Sequence, residues 1–104
     1  MIANVQLGTS ETTICLAGAS ETRALLVMLF CNTDTSTRSI TVYAYPTGSS
    51  AGASTTIIYQ YSIPAGDTFQ WTSNEKFLLG PSDKVSGIAD VASKVTVTST
   101  YMVL

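Results

Sequence analysis

The side chains that could do chemistry are few and scattered. Histidine is absent, which removes the commonest general base, the commonest metal ligand and the usual pH switch at once. The acids are Glu11, Glu21, Asp34, Asp67, Glu75, Asp83 and Asp90, most of them where turns are predicted, and no two form an acid pair. Asp67 follows Gly66 and Asp83 follows Pro81-Ser82, positions from which a carboxylate caps turn amides. A calcium site needs several oxygen donors in one loop, and the nearest approach is Asp34 with the hydroxyls of Thr33, Thr35 and Ser36. Cys15 and Cys31 lie in apolar segments without a His or acidic neighbour, and they read as small buried hydrophobes rather than as nucleophiles or a disulfide. The sequence thus offers no catalytic, cofactor-binding or metal-ligating residue, and a non-enzymatic protein is expected.

Aromatic residues are the other candidates. Tyr43 and Tyr45, Tyr59 and Tyr61, and Phe69 and Trp71 are each two apart, which places each pair on one face of a strand. Such pairs could stack sugar rings. The plainer reading weighs more: Ile57, Tyr59, Tyr61 and Ile63 share a face as core, with the hydroxyls reaching the sandwich edge. Trp71, the single tryptophan, is either a core anchor or an interface hot spot.

The elements that must position these residues are strands. The chain has 104 residues, enough for one domain over residues 1–104, and is 45% hydrophobic but only 12% charged. That composition excludes a disordered chain, and five singly spread basic residues exclude a nucleic-acid-binding patch. Period-2 alternation and β-branched residues recur between Gly, Pro, Asp and Ser punctuation. Strands are expected over roughly Asn4 to Gly8, Thr12 to Ala17, Thr22 to Asn32, Arg38 to Tyr45, Thr55 to Ile63, Asp67 to Thr72, Lys76 to Leu79, Lys84 to Ala89 and Lys94 to Val103. Eight or nine mostly antiparallel strands in one small all-β domain make a β-sandwich of jelly-roll type. A type I turn is expected at Ile63-Pro64-Ala65-Gly66, a similar turn at Gly80-Pro81-Ser82-Asp83, and a mobile exposed loop over Pro46 to Ser54. A hairpin joining Thr12 to Ala17 with Thr22 to Asn32 would hold Cys15 far from Cys31. The longest apolar run, Ala24 to Cys31, is far short of a membrane span, and the N-terminus lacks the pattern of a secretory signal. No membrane partner is expected, and the chain is expected to work where it is made.

Thr22 to Asn32 does not alternate. With Leu25, Val27 and Leu29 on one side and Leu26, Met28 and Phe30 on the other, both faces need cover. Either a terminal arm or loop of the same chain supplies the second cover, or a subunit does. The subunit alternative makes Leu26, Met28 and Phe30, with Tyr43 and Trp71, the candidate interface residues of a homo-oligomer.

Three segments carry a resemblance. Leu29-Phe30-Cys31-Asn32-Thr33-Asp34-Thr35-Ser36-Thr37-Arg38-Ser39-Ile40-Thr41-Val42-Tyr43, Tyr59-Gln60-Tyr61-Ser62-Ile63-Pro64-Ala65-Gly66-Asp67-Thr68-Phe69, and the Lys76 to Val85 turn with the Val-Thr alternation after it resemble small virion proteins of tailed bacteriophages. The last turn departs from that pattern by the Pro81-Ser82 insertion between Gly80 and Asp83. The resemblance implies a structural virion part assembled in the host cytoplasm, above all a capsid decoration or cement protein. Its partners would be copies of itself, a homotrimer being the first choice from capsid three-fold positions, and the major capsid protein or another virion protein. The alternative is a carbohydrate-binding or adhesin module of a fibre, using an aromatic pair and the Pro46 to Ser54 loop.

Overall fold

A computed structural model describes residues 1–72 and 77–104. Eight strands carry the chain: β1 (Ile2–Gln6), β2 (Thr12–Leu16), β3 (Arg23–Asn32), β4 (Arg38–Tyr45), β5 (Thr56–Ile63), β6 (Thr68–Leu79), β7 (Lys84–Ala89) and β8 (Val95–Val103). They form two four-stranded sheets, β1-β8-β3-β6 and β2-β7-β4-β5, in which every described pairing is antiparallel. Consecutive strands alternate between the sheets except at the β4–β5 hairpin, and β1 and β2, β8 and β7, β3 and β4, and β6 and β5 occupy matching places. This is the jelly-roll layout of an all-β sandwich. The two segments expected at Asp67 to Thr72 and Lys76 to Leu79 belong to one strand, β6, and the expected start at Lys76 lies outside the described residues.

The β2–β3 hairpin is corrected by this layout. β2 pairs with β7, whereas β3 pairs with β6 and β8 in the opposite sheet. The link Ala17 to Thr22 crosses the sandwich instead of turning within one sheet. Both cysteines are free thiols. Cys15 belongs to the core, where burial pushes its thiol above the ordinary value. Cys31 stands opposite Thr68 and Thr96 in the other sheet and is half-buried.

The core is filled by Leu7, Ile14, Leu25, Met28, Phe30, Ile40, Val42, Ile63, Leu79, Val85, Val95 and Val97. Its two-faced strand β3 is resolved by a bulge. Leu25 pairs with Tyr101 of β8, but Val27 pairs with Thr100, so Leu26 is an extra residue that reverses the facing of everything after it. Leu25 therefore points inward before the bulge, and Met28 and Phe30 point inward after it.

The loops are held by the polar residues that punctuate the sequence. Asn32 is fully buried, and its Nδ2 donates to the carbonyls of Ser36 (2.9 Å) and Ile63 (2.9 Å) while its Oδ1 accepts from Asp34 N–H (2.9 Å). Asp34 in turn accepts from Arg38 Nε at 2.8 Å, and that guanidinium holds its carboxyl below the ordinary carboxylate value. The turn expected at Ile63 to Gly66 lies one residue later. Asp67 N–H donates to Pro64 C=O (3.0 Å), and Gly66 occupies the third position with φ 72°, a left-handed conformation that makes the turn type II rather than type I. The Pro46 to Ser54 segment is largely exposed, as expected, but it ends in a 3-10 turn, Ala53–Thr55, and threonine hydroxyls tie it down. Thr47 Oγ1 donates to Pro81 C=O (2.9 Å), and Thr55 Oγ1 to Ser50 C=O (3.0 Å).

Candidate interaction surface

The bulge at Leu26 decides what the β1-β8-β3-β6 sheet shows to the outside. With Met28 and Phe30 turned inward, Val27, Leu29 and Cys31 face outward. The register aligns them into three rows across all four strands: Ile2, Thr100, Val27 and Thr72; Asn4, Thr98, Leu29 and Gln70; Gln6, Thr96, Cys31 and Thr68. None of these twelve residues is charged. The apolar column Val27, Leu29 and Cys31 on β3 is flanked by a threonine column on β8 and by Thr72, Gln70 and Thr68 on β6, and Leu29 at the centre is 37% exposed. Asn4 Nδ2 donates to Thr98 Oγ1 at 2.7 Å, so part of the polar capacity of the face is satisfied within it. Among the described residues, the charges near this sheet stand at its ends, with Arg23 at one and Asp67 and Lys94 at the other. An uncharged centre with a charged rim is the composition of an interface core.

The outer face of β2-β7-β4-β5 is different. Glu11 accepts from Ser86 Oγ at 2.5 Å and from the Tyr45 hydroxyl, with Lys84 Nζ at 3.7 Å. These partners, the Ser86 hydrogen bond foremost, hold the Glu11 carboxyl below the ordinary value. The arrangement groups a serine, a carboxylate, a tyrosine and a lysine, but Ser86 is fully buried and already donates to Glu11, so no substrate can reach it as a nucleophile. Sequence spacing gave no sign of this network, because its members come from β4, β7 and the turn before β2.

The five residues expected at an interface do not share a surface. Met28 and Phe30 are fully buried in the core, which corrects the expectation that they stand on an uncovered face, and the cause is the Leu26 bulge. Leu26 is half-buried at the bulge itself. Trp71 pairs with Met28, packs against the core and meets Phe77 edge to face at 5.4 Å. Tyr43 lies on the opposite sheet, where it is half-buried and pairs with Ser86. The outward residues that sequence reasoning did not single out are Asn4, Gln6 and the threonines of β8. The alternation in Val95-Thr96-Val97-Thr98 was their signal, one hydroxyl at every outward position.

A second exposed region is β5. Ile57, Tyr59 and Tyr61 are exposed, Tyr59 at 72%, and only Ile63 of the four residues expected to share a core face is buried. The reason is again an extra residue. Val42 pairs with Ile58 but Ile40 with Tyr61, and Gln60 takes a left-handed φ of 45° while its N–H donates to Thr41 Oγ1 at 3.1 Å. Tyr61 then lies on Phe69 at the sandwich rim, with ring centroids 4.2 Å apart. Beside the β4 end, a shallow cleft of about 180 Å³ is lined by Tyr45, Pro46, Phe77, Leu78 and Asp83. It is smaller than the roughly 300 Å³ at which small-molecule sites begin. Among the described residues no group of three His, Cys, Asp or Glu could hold a metal ion, and no helix is long and apolar enough to cross a membrane.

No protein-family model matches the chain, and no curated protein matches it. Among solved structures, a chain from Bacillus endospore appendages, described as a novel family of disulfide-linked pili, aligns over 96% of this chain and 83% of its own. Its identity is 15% and its TM-score 0.39, too low to carry a fold or a function across.

Proposed function

We propose that the protein is a non-enzymatic structural part of a tailed-phage virion, a decoration or cement protein that stabilises the head by bridging capsid subunits. The observation that supports this reading is the three outward rows of β1-β8-β3-β6, twelve described residues without a charge. Such rows can be covered by a neighbouring subunit without desolvating ions, which suits an assembly part. Threonine suits that role, because it favours strands and offers hydrogen bonds to a partner backbone. The resemblance of the Leu29 to Tyr43 and Tyr59 to Phe69 segments to small virion proteins points the same way. The mechanism is binding energy alone, with cohesion added by apolar burial and edge pairing between neighbours.

The test is addition of the purified protein to capsid shells that lack it, followed by electron microscopy. The reading expects a regular array in the wild type and its loss in Leu29→Glu, with the variant remaining folded. Exposed Tyr59 and Tyr61 favour a second reading, a glycan-binding fibre module. Glycan-array binding that disappears on Tyr59→Ala, from a protein that leaves capsid shells bare, would support it.

A further inference from the structure

The four sheet edges are not equivalent. β2 is interrupted by a register shift between Thr13 and Cys15, β5 by two shifts and the left-handed Gln60, and β6 meets β3 across the Leu25 to Val27 shift. Bulges of this kind are how sheets blunt an edge against unwanted pairing. β1 has none of these devices. It pairs with β8 in unbroken register from Ile2 to Gln6, and Ile2-Ala3-Asn4-Val5-Gln6 contains no charge, no proline and no glycine.

Its hydrogen bonds show which groups are free. The Met1 amine and the Tyr101 carbonyl bond, Tyr101 N–H donates to Met1 C=O (2.9 Å), and Leu7 N–H donates to Val95 C=O (2.9 Å). In an antiparallel ladder such bonds alternate along a strand, so the odd-numbered residues of β1 face β8. The N–H and C=O of Ile2, Asn4 and Gln6 therefore point off the open edge of the sheet, three donors and three acceptors in a regular row.

We infer that β1 pairs antiparallel with β1 of a second copy across a two-fold axis at Asn4. Asn4 would meet Asn4 of the partner subunit, and Ile2 would meet the partner's Gln6, with about six hydrogen bonds formed between the chains. A second copy fits because the row of free groups is its own complement under two-fold rotation and because no charge on β1 opposes its own image. The pairing also joins the uncharged rows of the two copies into one surface of eight strands. This is a two-fold contact, so it argues for a dimer in place of the trimer that capsid three-fold positions suggest. It does not rest on the virion reading.

A short strand pair buries less than a standard interface, so the dimer forms with concentration. Sedimentation of the whole chain up to roughly 1 mM, with hydrogen exchange followed by NMR, tests it. The wild type should shift from monomer to dimer, and the amides of Ile2, Asn4 and Gln6 should gain protection as it does, while those of Ala3 and Val5 stay unchanged. Asn4→Ala removes only the side chain and should still dimerise. Asn4→Pro removes a free edge N–H and should remain monomeric with an unchanged circular dichroism spectrum, because proline is tolerated where an edge N–H faces solvent. A wild type that stays monomeric to that concentration, or dimerises without protecting the even-numbered amides, overturns the inference, as does an Asn4→Pro dimer. If Asn4→Pro fails to fold, the exchange pattern of the wild type decides alone. A monomer that still decorates capsid shells would refute the edge pairing and leave the proposed function standing.

Discussion

The two sheets are built alike, but their outer faces treat polar groups in opposite ways. On β2-β7-β4-β5, Glu11 gathers Ser86, Tyr45 and Lys84 around one carboxylate. That face satisfies itself. On β1-β8-β3-β6, twelve outward residues in three rows carry no charge, and the one side-chain pair within them is Asn4 with Thr98. That face has hydrogen-bonding and apolar capacity to spare. The two faces thus differ in apolar exposure as well as in charge, because the uncharged rows carry Ile2 at 72% and Leu29 at 37% exposed.

The sharpest way to break this comparison uses neighbouring residues on one strand. Met28→Asp places a carboxylate in the sealed core and should unfold the domain, a loss comparable with the roughly 5–15 kcal/mol of total stability of such proteins. Leu29→Glu, on the outer face, should change unfolding stability by no more than about 0.5 kcal/mol. Urea titration of both variants checks the facing that the Leu26 bulge imposes. If Leu29→Glu unfolds and Met28→Asp does not, the inner and outer faces are exchanged.

Phe30→Ala should cost about 3–5 kcal/mol, because Phe30 is fully buried and packs against Phe69 with ring centroids 6.0 Å apart. Thermal unfolding would measure it. Next in size is Asn32→Leu, which strands the Ile63 carbonyl and removes the bond to Asp34 N–H, an expected loss of about 1–3 kcal/mol for each buried group left unpaired.

The smallest effect lies on the self-satisfied face. The Glu11 carboxyl titrates below its ordinary 4.5 in the folded protein, so the unfolded chain binds the proton more readily. Its contribution is present above that ordinary value and disappears as pH falls through the lower folded value. Urea midpoints between about pH 6 and about pH 3 should therefore fall less steeply in Glu11→Gln than in the wild type. Equal slopes would mean that the network contributes no pH dependence.

The sequence-level reading reached the strands and the polar loop chemistry because both are local. Alternation in Val95 to Thr100 marks an outward hydroxyl column, and Asn32, Asp34 and Asp83 bond to nearby backbone as their residue types suggest. Facing was not legible where a bulge intervenes. One extra residue at Leu26, and another at Gln60, reverses the parity on which a period-2 reading depends. Met28 and Phe30 consequently fall inside and Tyr59 outside, against expectation. The hairpin at Cys15 failed for a different reason: a short link can turn within a sheet or cross to its partner, and residues 17 to 22 do not distinguish the two. The uncharged rows and the Glu11 network are not legible in the sequence because each is assembled from strands distant along the chain.

The central claim is that the neutral outer face is a contact surface between proteins. Its most direct measurement is a density map of shells decorated with the protein, at a resolution that shows the strands. Val27, Leu29 and the Thr96, Thr98 and Thr100 column should be covered by a neighbouring subunit, with the Glu11 network facing solvent. Decorated shells in which the Glu11 face is covered and the Leu29 face lies bare to water would contradict it.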